Sequence, residues 1–164
     1  MRVLVLAALL TGCGSKLNRL ENYELDHYEG LRVWMTDKQE KQYLRGKTPE
    51  ERDQWLKDLG FWDQWYQYDQ GTRDQILAGD VQVGWTYDQV FMSWGEPHQK
   101  KRLAGRRATR SYLCVYRFEV NKDGAVMVWA PGSKASYSAI EKYTLELYID
   151  DEMVTEVKRL EGWP

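Results

Sequence analysis

Residues 81–97 are the most strongly specified segment of the chain, because every local signal there agrees on one short helix. Thr86 can cap the first turn, and Gln89, three residues later, can close a capping box. An apolar stripe follows at positions i, i+3, i+4 and i+7: Tyr87, Val90, Phe91 and Trp94. Gly95 can end the helix in a left-handed conformation, and Pro97 prevents its continuation. We therefore predict a two-turn helix with one buried face.

Beyond this helix the hydrophobic period changes to two, which is typical of strands with one buried face. Two long runs alternate in this way, with inward positions at Tyr112, Cys114, Tyr116 and Phe118 and at Tyr143, Leu145, Leu147 and Ile149. Shorter strands are predicted after Pro97, over 125–129 and over 153–160, with turns at 121–124 and 150–152. Helices followed by strands predict an α+β fold, with short helices packed on one face of a three- to four-stranded antiparallel sheet.

Residues 30–75 are predicted to form an aromatic-rich helical extension of this fold. Three residues are typical of a helix start and a capping box: Thr48, Pro49 and Glu51. One face of that helix is expected to carry Trp55, Leu56 and Leu59, and Gly60 is expected to end it. Residues 61–68 suit a second short helix, and residues 73–78 suit a further helical turn.

The first thirteen residues have the layout of a secretory signal. Arg2 precedes an apolar run over 3–10 that is too short to span a bilayer. The run ends in Leu10-Thr11-Gly12-Cys13, which resembles the cleavage site of bacterial lipoproteins. This resemblance implies removal of residues 1–12 and acylation of Cys13, and two or more acyl chains anchor a protein stably. The alternative is a soluble protein whose first strand is apolar.

These patterns divide the chain into four parts. They are a signal peptide over 1–12, a lipidated tether over 13–29, the helical extension over 30–75 and an α+β domain over 76–164. Gly14 stands where an aspartate marks inner-membrane retention in some bacteria. We therefore expect a lipid-anchored protein of the outer membrane on its periplasmic side, with the inner membrane and the cell surface as alternatives.

The remaining composition gives no indication of catalysis, of a metal or of a cofactor. A net charge of −2 gives no support for nucleic-acid binding, and Cys114 is left without a disulfide partner once Cys13 is lipidated. His27 and His98 lack a metal-ligand spacing and are expected at the surface or in turns. Cys114 is expected to be a small core residue, and the carboxylates over 150–152 are expected to be solvated in a turn. We therefore expect a protein that is not an enzyme.

One segment concentrates positive charge, with six cations within eleven residues: Lys100, Lys101, Arg102, Arg106, Arg107 and Arg110. They flank Ala104 and Gly105, the expected tip between two strands. Two interpretations stay open. The segment is a solvated loop, or it contacts anionic phospholipid or an acidic protein partner, where each cation near an anionic membrane adds about 1 kcal/mol.

The chain contains 8 Trp and 11 Tyr but only 3 Phe, and Trp and Tyr suit cores with wet edges as well as binding surfaces. Five of these residues cluster in the helical extension: Trp55, Trp62, Trp65, Tyr66 and Tyr68. They are expected either to fill a core or to form a stacking surface for a glycan such as peptidoglycan.

Residues 81–97 also resemble the signature of the BamE/SmpA-like outer-membrane lipoproteins. In that signature an apolar residue, a glycine, a bulky residue and Ser/Thr lead into a short helix that ends Leu-Gly-x-Pro. The counterparts here are Val83-Gly84-Trp85-Thr86, then Val90, then Trp94-Gly95-Glu96-Pro97. The resemblance extends over about 76–160 through the strand 112–118 and the hairpin 143–157. It implies two helices on a three- or four-stranded sheet, anionic phospholipid and partner-subunit contacts near the basic segment, and an accessory role in β-barrel insertion.

Taken together, these features predict a lipid-anchored scaffold of the bacterial envelope that docks on the outer-membrane protein assembly machinery. Two alternatives come from other classes of function. One is a glycan- or peptidoglycan-binding lipoprotein that uses the aromatic cluster, and the other is an inhibitor of a periplasmic enzyme.

Overall fold

A layer of short helices packs against an antiparallel sheet in the computed structural model of the chain, which describes residues 14–130 and 138–163. The helices come first: α1 (Gly14–Leu17), α2 (Asn22–Leu31), a 3-10 turn (Arg32–Trp34), α3 (Asp37–Tyr43), α4 (Pro49–Asp58), α5 (Phe61–Tyr66), α6 (Gln70–Ala78) and α7 (Tyr87–Trp94). The strands follow: β1 (Gln99–Arg102), β2 (Ser111–Asn121), β3 (Val126–Trp129), β4 (Ala139–Asp150) and β5 (Met153–Glu161). The α+β class is confirmed, and the predicted signal peptide and Cys13 lie outside the described residues.

The sheet is built around β2. Strand β4 pairs with β2 along its length and then with β5, giving the order β1-β2-β4-β5. Strand β3 adds a fifth strand, because β1 and β3 share the other side of β2: β1 pairs with residues 112–115 and β3 with residues 117–120. The longest path through the sheet therefore has the four strands expected, and β3 lies beside it.

The side chains that face the helices follow the predicted alternation. On β2, Cys114, Tyr116 and Phe118 are fully or almost fully buried. On β4, Leu147 and Ile149 are equally buried and lie opposite Cys114 and Tyr112 in the register. These positions form the sheet side of the hydrophobic core.

Helix α7 lies between the sheet and the other helices. Its cap is as predicted, with Thr86 and Gln89 bonding reciprocally in a capping box. The ring of Trp94 contacts those of Tyr116 and Phe118, with centroids 5.1 and 5.0 Å apart, while Phe91 contacts Trp34 at 4.6 Å. Because α7 has neighbours on two sides, Met92 is buried as well, outside the predicted stripe.

The segment before α7 is joined to the start of β5 by backbone hydrogen bonds. The N–H of Gly84 donates to the Val154 carbonyl at 2.8 Å, and the Val154 N–H donates to the Trp85 carbonyl at 2.8 Å. Gly84 has φ +93°, a conformation that favours glycine. The backbone conformation thus explains the glycine of the Val83-Gly84-Trp85-Thr86 motif. With a positive φ, Gly84 allows the segment before α7 to form hydrogen bonds with β5.

The structure corrects the expected tether over 13–29. Residues 22–31 form α2, in which Glu24, His27 and Tyr28 are buried, and Leu17 of α1 is only 8% exposed. The segment looks polar in sequence because two of its buried side chains are ionisable and find their partners elsewhere in the fold. Helical structure therefore starts before residue 30.

Helix α4 begins as predicted, with the Thr48 hydroxyl accepting from the Glu51 N–H. The Glu51 carboxylate accepts from the Lys47 N–H instead of closing the box on Thr48. The expected apolar face is wrong at one position: Leu56 is fully buried, but Leu59 is 45% exposed because it follows the last turn, where the chain leaves the core.

Gly30 provides a test of the packing between α2 and α5. A Cβ at this position would lie 2.8 Å from Cη2 of Trp65 and closer still to Cζ3, and Trp65 is buried. We expect Gly30→Ala to lower the free energy of unfolding by about 2 kcal/mol. Urea denaturation measures this change.

Gly71 of α6 is the matched control, because a Cβ there meets only ordinary contacts. Gly71→Ala should raise the free energy of unfolding by about 0.5–1 kcal/mol through better helix propensity. Equal effects of the two substitutions would contradict the packing of Trp65 on Gly30.

Candidate functional site

The six predicted cations lie on β1 and on the loop over 103–110 that joins it to β2. Lys100, Lys101 and Arg102 belong to β1, all of whose residues are exposed. The loop continues the backbone pairing, since the Leu103 N–H donates to the Ser111 carbonyl at 2.9 Å. The predicted strand–tip–strand arrangement is therefore present, with Gly105 at φ +79° near its tip.

Two of the six cations are held by carboxylates of the β4–β5 turn. The Arg106 guanidinium donates to both carboxylate oxygens of Asp150, at 2.9 and 2.7 Å. Arg106, together with the Ser111 hydroxyl, lowers the pKa of Asp150 to about 2. Arg110 lies 3.3 Å from the Glu152 carboxylate. Asp150 is therefore a structural ion-pair partner, which differs from the solvated carboxylate expected.

The other four cations differ in their contacts. Lys100 is opposite Cys114 in the register, and its ammonium lies over the rings of Tyr87 and Tyr112, at 4.0 and 4.7 Å. Lys101, Arg102 and Arg107 form no ion pair within residues 14–130 and 138–163. These three exposed side chains carry the positive charge that a partner would meet.

The loop is fixed to the β4–β5 turn through its backbone as well. The N–H groups of Thr109 and Arg110 donate to the Asp151 carboxylate at 3.3 and 2.9 Å. The Asp151 N–H in turn donates to the Arg110 carbonyl at 2.8 Å. The basic loop and the turn therefore form one hydrogen-bonded unit.

The five aromatic residues proposed as a stacking surface are spread over separate environments. Trp65 is buried against Gly30, and Trp55 packs between Tyr43 and Phe61, with centroids 5.9 and 6.0 Å away. Tyr68 is half-buried against the core. The structure therefore does not bring the five rings together on one face.

Trp62 and Tyr66 form the remaining pair, with centroids 4.4 Å apart. A cation covers each ring: Lys57 lies 4.4 Å from the Trp62 centroid and Arg73 lies 4.6 Å from the Tyr66 centroid. This stack links α4, α5 and α6, and each ring already has a cation of the protein where a sugar ligand would need an open face.

The expectation that His27 is a surface or turn residue is wrong. His27 is 1% exposed in the middle of α2, and its Nε2 lies 2.8 Å from the Tyr66 hydroxyl. His98, by contrast, lies in the bend before β1, half-buried against Trp129 at 4.9 Å. No sequence pattern indicated the burial of His27, because three of its four ring neighbours come from α5.

A buried ion pair between Glu24 and Arg52 is the main feature that sequence reasoning missed. Arg52 donates to both carboxylate oxygens of Glu24, at 2.5 and 3.0 Å, and both side chains are buried. The Arg52 guanidinium also donates to the Gly46 carbonyl at 2.6 Å. The pair joins α2 to α4 and is separated by 28 residues in the chain, too far for any local spacing rule to find it.

The structure places Cys114 in the core as expected, and burial raises the pKa of its thiol to about 11. The thiol is therefore protonated at neutral pH and is a poor nucleophile. Within the described residues, no group of three or more His, Cys, Asp or Glu side chains could hold a metal ion. The same part of the chain contains no helix long and apolar enough to cross a membrane.

Comparison of the chain with protein-family models, with curated proteins and with solved structures found no match.

The β4–β5 turn that holds the basic loop contains two non-glycine residues with positive φ, Asp151 at +47° and Glu152 at +70°. Such two-residue turns favour glycine at the second position. We expect Glu152→Gly to raise the free energy of unfolding by about 0.5–1 kcal/mol, because the exposed pair with Arg110 contributes little. Thermal denaturation measures the gain.

Glu156→Gly is the control, because residue 156 lies within β5, where glycine weakens a strand. A destabilising Glu152→Gly substitution would show that the contact with Arg110 outweighs the strain of the turn.

Proposed function

We propose that the chain is a lipid-anchored scaffold of the bacterial envelope that faces the periplasm and docks on outer-membrane protein assembly machinery. The observation that carries this proposal is the Leu10-Thr11-Gly12-Cys13 sequence at the end of a short apolar run. The resemblance of residues 81–97 to the BamE/SmpA-like lipoproteins supports the choice of machinery.

The architecture is compatible with such a role. The motif glycine Gly84 adds the segment before α7 to the sheet, and Trp94 at the end of the motif packs on β2. The motif residues therefore hold the helix against the sheet, which is how a short signature can specify this type of fold. The basic loop is presented at one end of that sheet.

The basic surface supplies a contact for anionic phospholipid or for an acidic protein surface. Lys101, Arg102 and Arg107 are exposed and unpaired within the described part of the chain, while Arg106 and Arg110 fix the loop to the β4–β5 turn. A rigid loop loses less conformational entropy on binding than a mobile one.

The glycan-binding alternative receives less support, because the five aromatic side chains do not share a face and because Lys57 and Arg73 lie over the rings of Trp62 and Tyr66. No structural observation favours the enzyme-inhibitor alternative.

Replacement of Cys13 tests the anchor and the docking together. The native chain should carry acyl groups at Cys13 by mass spectrometry, fractionate with the outer membrane and capture barrel-assembly subunits after crosslinking of intact envelopes. Cys13→Ser should lose the acyl mass and release the protein from the membrane, because the acyl chains supply the stable anchoring.

Cys114→Ala is the control, because it keeps position 13 and removes the buried thiol. An unmodified Cys13 in native material would contradict the anchor. Acylated protein that captures only unrelated proteins would contradict the docking partner and leave the anchor in place.

A second prediction concerns the basic surface. The triple change Lys101→Ser, Arg102→Ser and Arg107→Ser should weaken binding to phosphatidylglycerol vesicles at low salt by about 100-fold, since three cations contribute about 3 kcal/mol near an anionic membrane. Vesicle sedimentation measures the affinity.

The matched control is the double change Glu156→Ser and Lys158→Ser, which removes an exposed ion pair of β5 and keeps the net charge. It should leave vesicle binding nearly unchanged. If the triple change does not affect vesicle binding, the basic segment is a solvated loop that does not contact anionic phospholipid.

A further inference from the structure

His27 is enclosed by aromatic rings at the junction of the helices. Four rings surround its imidazole, with centroids 5.4 to 6.4 Å away: Tyr23, Trp62, Trp65 and Tyr66. The histidine itself is 1% exposed. We call these five residues the His27 cage. Helix α2 supplies two of its members and α5 supplies three, so the cage closes the contact between these helices.

Within residues 14–130 and 138–163, only one nitrogen of the imidazole has a hydrogen-bond partner. Nε2 lies 2.8 Å from the Tyr66 hydroxyl, whereas Nδ1 is buried without a hydrogen bond there. Oδ1 of Asp53 lies 3.9 Å from Nδ1 and is also buried without a hydrogen bond in this part of the chain. That distance is too long for a hydrogen bond. A neutral ring fits this arrangement, with the Tyr66 hydroxyl donating to Nε2.

The charged groups around the cage offer little to a charged imidazole. Glu24 lies one turn earlier on α2, and both of its carboxylate oxygens already accept hydrogen bonds from Arg52 of α4. Lys57 of α4 and Arg73 of α6 lie over cage rings and add positive charge of their own. Two carboxylates remain as counter-charges near His27: Glu24, which is shared with Arg52, and Asp53 of α4, whose Oδ1 lies 3.9 Å from Nδ1.

The counter-charge of Asp53 weakens in acid. Burial raises the pKa of Asp53, so this carboxylate loses its charge at a higher pH than an ordinary aspartate. Burial also lowers the pKa of His27 to about 4. In the unfolded chain this imidazole binds its proton near pH 6.5. The free energy of unfolding therefore falls as the pH drops from about 6.5 towards 4, because over this range only the unfolded chain is protonated at His27. The raised pKa of Asp53 increases the free energy of unfolding as the pH falls, which opposes the effect of His27. The decrease caused by His27 is the larger of the two, because its pKa shift is larger.

We propose that the His27 cage is an acid-sensitive latch, in which a proton on His27 separates α2 from α5 and opens the helical layer while the sheet stays intact. Local opening is possible because the cage joins short helices, whereas β2 and β4 are paired along their whole length. Opening would uncover Trp65 and the faces of Trp62 and Tyr66 that are packed at neutral pH.

The first experiment is an NMR titration of the imidazole in the full chain carrying His98→Gln, which leaves His27 as the only histidine. We expect a pKa below 5. Asp53→Asn should lower it further, because it removes a negative charge 3.9 Å from Nδ1. A titration near 6.5, or one that Asp53→Asn does not move, would overturn the latch.

The second experiment locates the opening by amide hydrogen exchange at pH 7 and pH 5, corrected for the intrinsic exchange rates. Protection of α2 and α5 should fall by about 30-fold at pH 5, since opening gains about tenfold per pH unit below 6.5. Protection of β2 and β4 should stay higher than that of α2 and α5 at both pH values, because the helices open while the sheet stays paired.

His27→Gln should abolish this pH dependence while keeping a polar contact to Tyr66. If that variant does not fold, the comparison of helix and sheet protection in the His98→Gln chain still decides. Equal protection of helices and sheet at both pH values, or an unchanged pH dependence in His27→Gln, would overturn the proposal.

Discussion

The packing of Trp94 joins the two layers of the molecule, and the rest of the fold depends on it. Its ring lies against Tyr116 and Phe118 of the central strand, while its indole N–H donates to the Gly79 carbonyl at the end of α6, at 3.2 Å. The Tyr116 hydroxyl donates to the Gly95 carbonyl at 3.1 Å, immediately after the helix. One side chain and the glycine behind it thus connect sheet, α7 and helical layer. A large aromatic residue with a polar tip suits this place because it buries area and still satisfies a backbone group.

Sequence patterns predicted the parts of the fold that are determined locally. The capping box of Thr86 and Gln89, the alternation on β2 and the turn that ends at Gly124 all follow from residues close together in the chain. Helix α2 was not predicted, because Glu24 and His27 look like exposed positions until Arg52 and the α5 rings are in place. The basic residues were found, but their division into paired and unpaired members depends on a turn some forty residues later in the chain.

Two groups of charges in the molecule have opposite environments. Between α2 and α4, Glu24 and Arg52 are buried and satisfy each other. At the edge of the sheet, the cations of the short strand β1 are exposed. Lysine and arginine on an edge strand discourage pairing with the strands of other molecules. The same residues can therefore contact an anionic surface, while the edge strand presents charged side chains that discourage aggregation.

The position of α1 restricts how far the folded body can lie from residue 13. Leu17 is buried and only four positions after residue 13, so the intervening chain reaches about 14 Å even when extended. With an acyl anchor at that position, α1 would lie close to the lipid headgroups. A partner in the same membrane would then meet this side of the body at a nearly fixed height.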